Sequence, residues 1–135
     1  MEYKYNDGGR SKYFKALKVR DCVTRAIAIT SGRDYKEVYE LVHKATGKTA
    51  RNGVFTKSVK FKRLMAELGY TWTSCMGIGT GCTTHLKEGE IPMTGRIICL
   101  VSGHWAAVVD GVLNDNHDCS KGGTRCVYGY WTYNG

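Results

Sequence analysis

Two kinds of apolar pattern run through this chain, and they occupy different halves of it. Up to residue 69 the apolar side chains recur at helical spacing. Cys22, Ala26 and Ile29 fall at i, i+4 and i+7 with Val23 and Ile27 beside them, and Gly32 ends that run. Asp34 is placed to cap a second helix carrying Tyr35, Val38, Tyr39 and Val42, which closes near Gly47. After a loop around Asn52-Gly53, residues Phe61, Leu64, Met65 and Leu68 predict a third helix, stopped by Gly69. Strand character then takes over. Tyr70–Cys75 alternates, and Arg96–Val101 and His104–Val109 are β-branched runs. Asp110-Gly111 is a two-residue hairpin signal with Val112–Asp115 returning, and Val127–Tyr133 reads as a closing strand. The glycines of Gly77–Gly81 have the spacing of a phosphate-cradling loop but lack its lysine and following helix, so they predict a surface loop. Helices first and strands afterwards predict an α+β fold, with N-terminal helices packed on a C-terminal antiparallel sheet.

A chain of 135 residues makes one domain with a core of its own. Residues 1–20, polar, basic and aromatic, are expected to form an arm, and residues 21–135 the domain proper. No apolar stretch is long enough to span a membrane, and the first residues lack the apolar centre of a secretory signal. The expectation is a cytoplasmic protein, or one packaged from a cytoplasm into a virion. In that reducing setting the six cysteines (22, 75, 82, 99, 119 and 126) are expected to stay free, most of them as small apolar side chains. Two sets have ligand types for zinc: Cys75, Cys82 and His85, and His117, Cys119 and Cys126. Neither contains the tight C-x-x-C pair that anchors a structural site, so no metal or cofactor is expected.

Charge is uneven. Residues 1–65 carry 16 Lys and Arg against 6 Asp and Glu, a net of +10, while residues 66–135 carry a net of −2. A basic half points to an anionic partner, nucleic acid or an acidic host protein, or simply to a solvated surface.

The chemistry is carried by two distant segments. In Arg20-Asp21-Cys22-Val23-Thr24-Arg25 a cysteine opens a helix, where unpaired backbone N–H groups and the positive end of the helix dipole favour thiolate. Arg20 and Arg25 add positive charge. Alone, such a cysteine is more simply a core residue. The second segment is Ser102-Gly103-His104-Trp105, where His104 heads a strand. Pairing Val109 with Val112 across the hairpin sets Ala106 opposite Asp115 and His104 opposite His117. His104 and Asp115 then share a face of neighbouring strands, where a carboxylate can fix the imidazole tautomer. A slip of one residue would bring Asn114 or Asn116 there instead, and either could do the same work.

The order of helix-start cysteine, strand-heading histidine and acid after a tight hairpin resembles papain-like hydrolases. The circle that includes the bacteriocin-processing peptidases is similar, and small phage and bacterial members of this superfamily more so. The resemblance rests on Asp21–Ala28, Ile91-Pro92, Gly95-Arg96, Gly103–Gly111, Asn114–Ser120 and Val127–Trp131. It implies a phage-type cysteine hydrolase, with Cys22 as nucleophile, His104 as base and then acid, and Asp115 as orienter. One departure is plain. Papain-like enzymes carry a Gln shortly before the nucleophile to help hold the oxyanion, and this chain has no Gln; the matching position is Ala16. The remaining candidate donors are the Cys22 backbone N–H with Lys18, Arg20 or Asn6, and loss of one such donor costs roughly 10²–10³ in rate.

Acyl transfer to Cys22 would suit a peptide, isopeptide or side-chain amide substrate. The competing expectation is a binding module. Its support is the basic half and the rings of Tyr3, Tyr5, Tyr13 and Phe14, on which bases can stack, although such rings also serve as packing.

Overall fold

A computed structural model describes residues 1–15, 20–47, 56–77 and 79–135. Among the described residues the fold is α+β, with three α-helices and one six-stranded sheet. The helices are α1 (Cys22–Ser31), α2 (Tyr35–Thr46) and α3 (Val59–Glu67). The strands are β1 (Glu2–Tyr5), β2 (Tyr70–Ser74), β3 (Arg96–Val101), β4 (His104–Val109), β5 (Val112–Asp115) and β6 (Gly129–Tyr133), in the order β1-β5-β4-β3-β6-β2. Gly32 and Gly47 close α1 and α2 by donating to Ala28 and His43, and the Asp34 side chain caps α2 through the Lys36 N–H. The Asn52-Gly53 turn lies outside the described residues.

The sheet is mixed, a correction to the antiparallel sheet expected. β1 runs parallel to β5, with Tyr5 beside Asp115, so the start of the chain is sheet edge as well as arm. All four of its residues are exposed, which removes the apolar alternation that would mark a strand. The rest of the arm is partly packed. Tyr13 and Phe14 join Tyr35 and Tyr39 in an aromatic cluster, and the Tyr13 hydroxyl donates to Asp34. Val127–Tyr133 does not close the sheet at an edge either: β6 lies between β3 and β2.

Both faces of β3 and β4 are covered, and this is why their sequences read as continuous apolar runs. Ile98, Trp105 and Ala107 meet α1, α2 and α3 in one core. Ile97, Cys99, Val101, Ala106, Val108 and Leu113 meet Leu86, Ile91, Cys119 and Val127 in the other. The hairpin has the expected register, Val109 with Val112 and Ala107 with Asn114. Its two turn residues both have positive φ, 48° at Asp110 and 78° at Gly111, as a tight two-residue turn requires.

Cys82 and Cys126 are bonded to each other, which corrects the expectation of six free thiols. The bridge between His85 and Cys126 draws these cysteines together from 44 residues apart, a juxtaposition with no local sequence signal. It also removes one ligand from each zinc set considered from sequence. Among the described residues no helix is long and apolar enough to cross a membrane.

Candidate active site

The site lies at one end of the sheet, where the helix layer meets the opposite core. His104 shares its strand parity with Ala106 and Val108, which face away from the helices, as do Leu113 and, by the same alternation, Asp115. Because His104 is the first residue of β4, its ring also reaches the start of α1, where Cys22 stands. The imidazole Nε2 lies 2.5 Å from Asp115 Oδ2. The second oxygen, Oδ1, accepts from the Asn116 backbone N–H at 2.8 Å. One carboxylate oxygen is thus tied to backbone and the other to the ring. That leaves Nδ1 as the ring nitrogen free of Asp115, and the thiols of Cys22 and Cys119 both stand beside the ring.

Asn114 and Asn116 are otherwise engaged. Asn114 bonds Asn6 and the Val112 carbonyl, and the Asn116 side-chain oxygen lies 2.6 Å from His117 Nδ1. The in-register residue, Asp115, is therefore the one that meets His104.

Electrostatics separates the thiol and the imidazole in opposite directions. Burial alone would raise the half-buried Cys22 thiol. Hydrogen bonding and charge from His104, the Trp105 backbone N–H and the charge of Arg25 outweigh it and hold the thiol below its ordinary value. Burial alone would lower His104, but hydrogen bonds with Asp115, Cys119 and Cys22, with the Asp115 charge, push it up to about 11. The two shifts run in the directions that favour thiolate over thiol and imidazolium over imidazole.

No protein-family model matches the chain, and no curated protein or solved structure is significantly similar to it. The site therefore has to be read from its own residues.

Asp21 explains why the helix start stays open. As the residue before α1 it is placed to cap the helix, yet its side chain makes no capping bond. It accepts instead from Arg25 Nη1 at 2.5 Å and the Tyr35 hydroxyl at 2.8 Å, with Arg10 at 3.4 Å. The first-turn amides are left uncapped by it, and the positive end of α1 stays available to a thiolate or an oxyanion.

The oxyanion candidates divide. The Cys22 backbone N–H belongs to that open first turn, and Arg20 lines the cleft beside the thiol. Asn6 does not line it: its Nδ2 donates to Asn114 and its Oδ1 accepts from Gly8, fastening β1 to β5. Lys18 and Ala16 lie outside the described residues. The cleft encloses about 930 Å³, and Arg20, Val23, Lys57, Leu100, His117 and Tyr128 lie along it with Cys22 and His104. No Asp or Glu is among its described lining residues.

Sequence reasoning did not anticipate Cys119 at the ring: its buried Sγ, on a loop after β5, lies within 4.8 Å of a His104 ring nitrogen. Nor did it assign the buried pairing of Asp21 with Arg25, which their i, i+4 spacing offered. His104, Asp115 and Cys119 each place a donor atom within 4.8 Å of the others, a set of zinc-ligand types in which His104 and Asp115 are already bonded to one another.

Proposed function

We propose that the chain is a papain-like cysteine hydrolase of phage type, acting on a peptide, isopeptide or side-chain amide bond. The observation that carries this reading is that Cys22 and His104 line one open cleft while the buried Asp115 holds the imidazole from behind. In the reaction the Cys22 thiolate attacks the carbonyl carbon, forming a C–S bond and a tetrahedral oxyanion. The imidazolium of His104 gives its proton to the leaving nitrogen as the C–N bond breaks. Neutral His104 then takes a proton from water, which attacks the thioester and releases the acid as the C–S bond breaks, restoring the Cys22 thiolate and the imidazolium. Asp115 holds the ring throughout and supports its charged form. The open amides of the first turn of α1 are the oxyanion donors, with Arg20 beside them. The reading needs no metal and no cofactor.

The test is cleavage of a mixed library of synthetic peptides and lysine-linked isopeptides, with hydroxylamine trapping of the acyl group on Cys22. New termini that vanish in Cys22→Ala and His104→Ala, together with an acyl hydroxamate released as the C–S bond to Cys22 breaks, are expected. Turnover that survives Cys22→Ala contradicts the assignment.

A second reading has one specific observation in its favour, the cationic lining of the cleft by Arg20 and Lys57 with no Asp or Glu among its described lining residues. On that reading the domain binds nucleic acid or an acidic host protein and does not turn over. Binding that persists in Cys22→Ala and weakens steeply with salt supports it.

A further inference from the structure

Two buried carboxylates flank the candidate site, and one guanidinium joins them. Arg25 lies one helical turn after Cys22 on α1, and its side chain is almost wholly buried. Its Nη1 donates to Asp21 Oδ1 at 2.5 Å, and its Nη2 stands 3.6 Å from Asp115 Oδ1. Its Nε has no hydrogen-bond partner among the described residues, so the two carboxylates are what hold this cation. A guanidinium is costly to take from water and stays buried only against good ionic partners.

We propose that Arg25 is a positioning residue of the site, clamping Asp115 from the same helix that carries Cys22. This rests on the hydrolase reading for its consequence in turnover, but its geometry stands on the two ion pairs alone. The Asp21 end makes the clamp rigid. Asp21 is fixed by the Tyr35 hydroxyl from α2 and faces Arg10 from the turn after β1, so the guanidinium cannot follow Asp115 if that residue moves. With Arg25 and the Asn116 N–H both on Oδ1, Oδ2 is the oxygen left to the imidazole. Helix α1 therefore sets the thiol directly and the imidazole indirectly, through one residue three positions on. Arg25 also balances charge. The two buried carboxylates face the two guanidiniums of Arg10 and Arg25, with His104 and Cys119 beside Asp115 and the Tyr35 hydroxyl on Asp21, while the Tyr3 hydroxyl donates to the Asp115 backbone carbonyl. Removing Arg25 leaves the imidazole as the one ionic partner of Asp115 among the described residues, and frees Oδ1 so that the carboxylate can turn from the ring. Arg25 also acts on the thiol directly, since its charge favours the thiolate.

The experiment follows alkylation of Cys22 by iodoacetamide against pH, read by peptide mass, in the full chain and in Arg25→Met and Arg25→Lys. Far-ultraviolet circular dichroism reports whether each variant is folded. Arg25→Met is expected to move the inflection upward, with at least a tenfold slower reaction at pH 7. Arg25→Lys keeps the charge but cannot fork between two carboxylates, and is expected to fall between. A folded Arg25→Met with the wild-type profile overturns the proposal. If Arg25→Met does not fold, a wild-type profile in Arg25→Lys overturns it equally. An ordinary thiol inflection in the wild-type chain would instead sink the hydrolase reading. A low wild-type inflection with unmoved Arg25 variants sinks only the clamp.

Discussion

At the scale of single residues, the site depends on how His104 is held between a carboxylate and a thiol. Its raised pKa has a consequence for stability as well as chemistry. A group whose folded pKa lies above its unfolded value stabilises the fold fully below the unfolded value, and the benefit disappears as pH rises through the folded one. For His104 that window runs from the ordinary imidazole range near 6.5 up to about 11. Asp115→Asn keeps a hydrogen-bond acceptor at Oδ and removes the charge. The His104 pKa is expected to fall in that variant, followed by NMR of the ring C–H resonances against pH. The stability lost relative to wild type is expected to be largest below pH 6.5 and to shrink as pH approaches 11. An unmoved His104 titration would show that Asp115 does not support the imidazolium. The Asp115 partnership was legible in the sequence because a two-residue hairpin fixes register, and register fixes faces. Cys119 was not legible. It reaches the ring from an irregular segment, where no period connects sequence spacing to space.

At the scale of elements, the three helices and the β3-β4-β5 meander follow from apolar period and turn residues, whereas β1 and the placement of β6 do not. β1 is an exposed edge strand, so neither alternation nor a buried run marks it. The insertion of β6 between β3 and β2 is a long-range pairing decided by packing. Gly129, the first residue of β6, shows how tight that packing is. A methyl group there would strike the Trp72 ring and approach the Thr73 carbonyl at 2.8 Å on β2, while Trp72 packs against Trp131 from the neighbouring strand. Gly129→Ala is expected to cost about 1–3 kcal/mol, the usual penalty for overpacking. Urea denaturation followed by tryptophan fluorescence measures it, and an unchanged midpoint would contradict the close β2–β6 contact. Asp21 belongs to the same scale. An N-cap residue is read from sequence as serving its own helix, and here its carboxylate serves a buried ion-pair cluster.

At the scale of the whole molecule, the cysteines divide by role in a way their even count did not convey. Cys82 and Cys126 close a long loop, and reducing that bond is expected to lower stability by about 2–4 kcal/mol, mainly by freeing the unfolded chain. Denaturation with and without a phosphine reductant checks this. Equal midpoints would contradict a stabilising bond. Of the four remaining thiols, Cys99 and Cys119 are buried, and burial pushes the Cys99 thiol up and away from reactivity. Cys22 alone has its thiol held down by a histidine and an arginine. The charge asymmetry seen in sequence reaches the site through Arg20, Arg25 and Lys57, all from the basic half. The most direct test of the central pairing is a timed iodoacetamide labelling of the folded protein, with each of the four free cysteines quantified by peptide mass. Cys22 is expected to label well before Cys75, Cys99 and Cys119 at neutral pH, and His104→Ala to slow Cys22 while leaving the order of the others unchanged. Uniform labelling of the four, or a Cys22 rate indifferent to His104, would contradict the pairing.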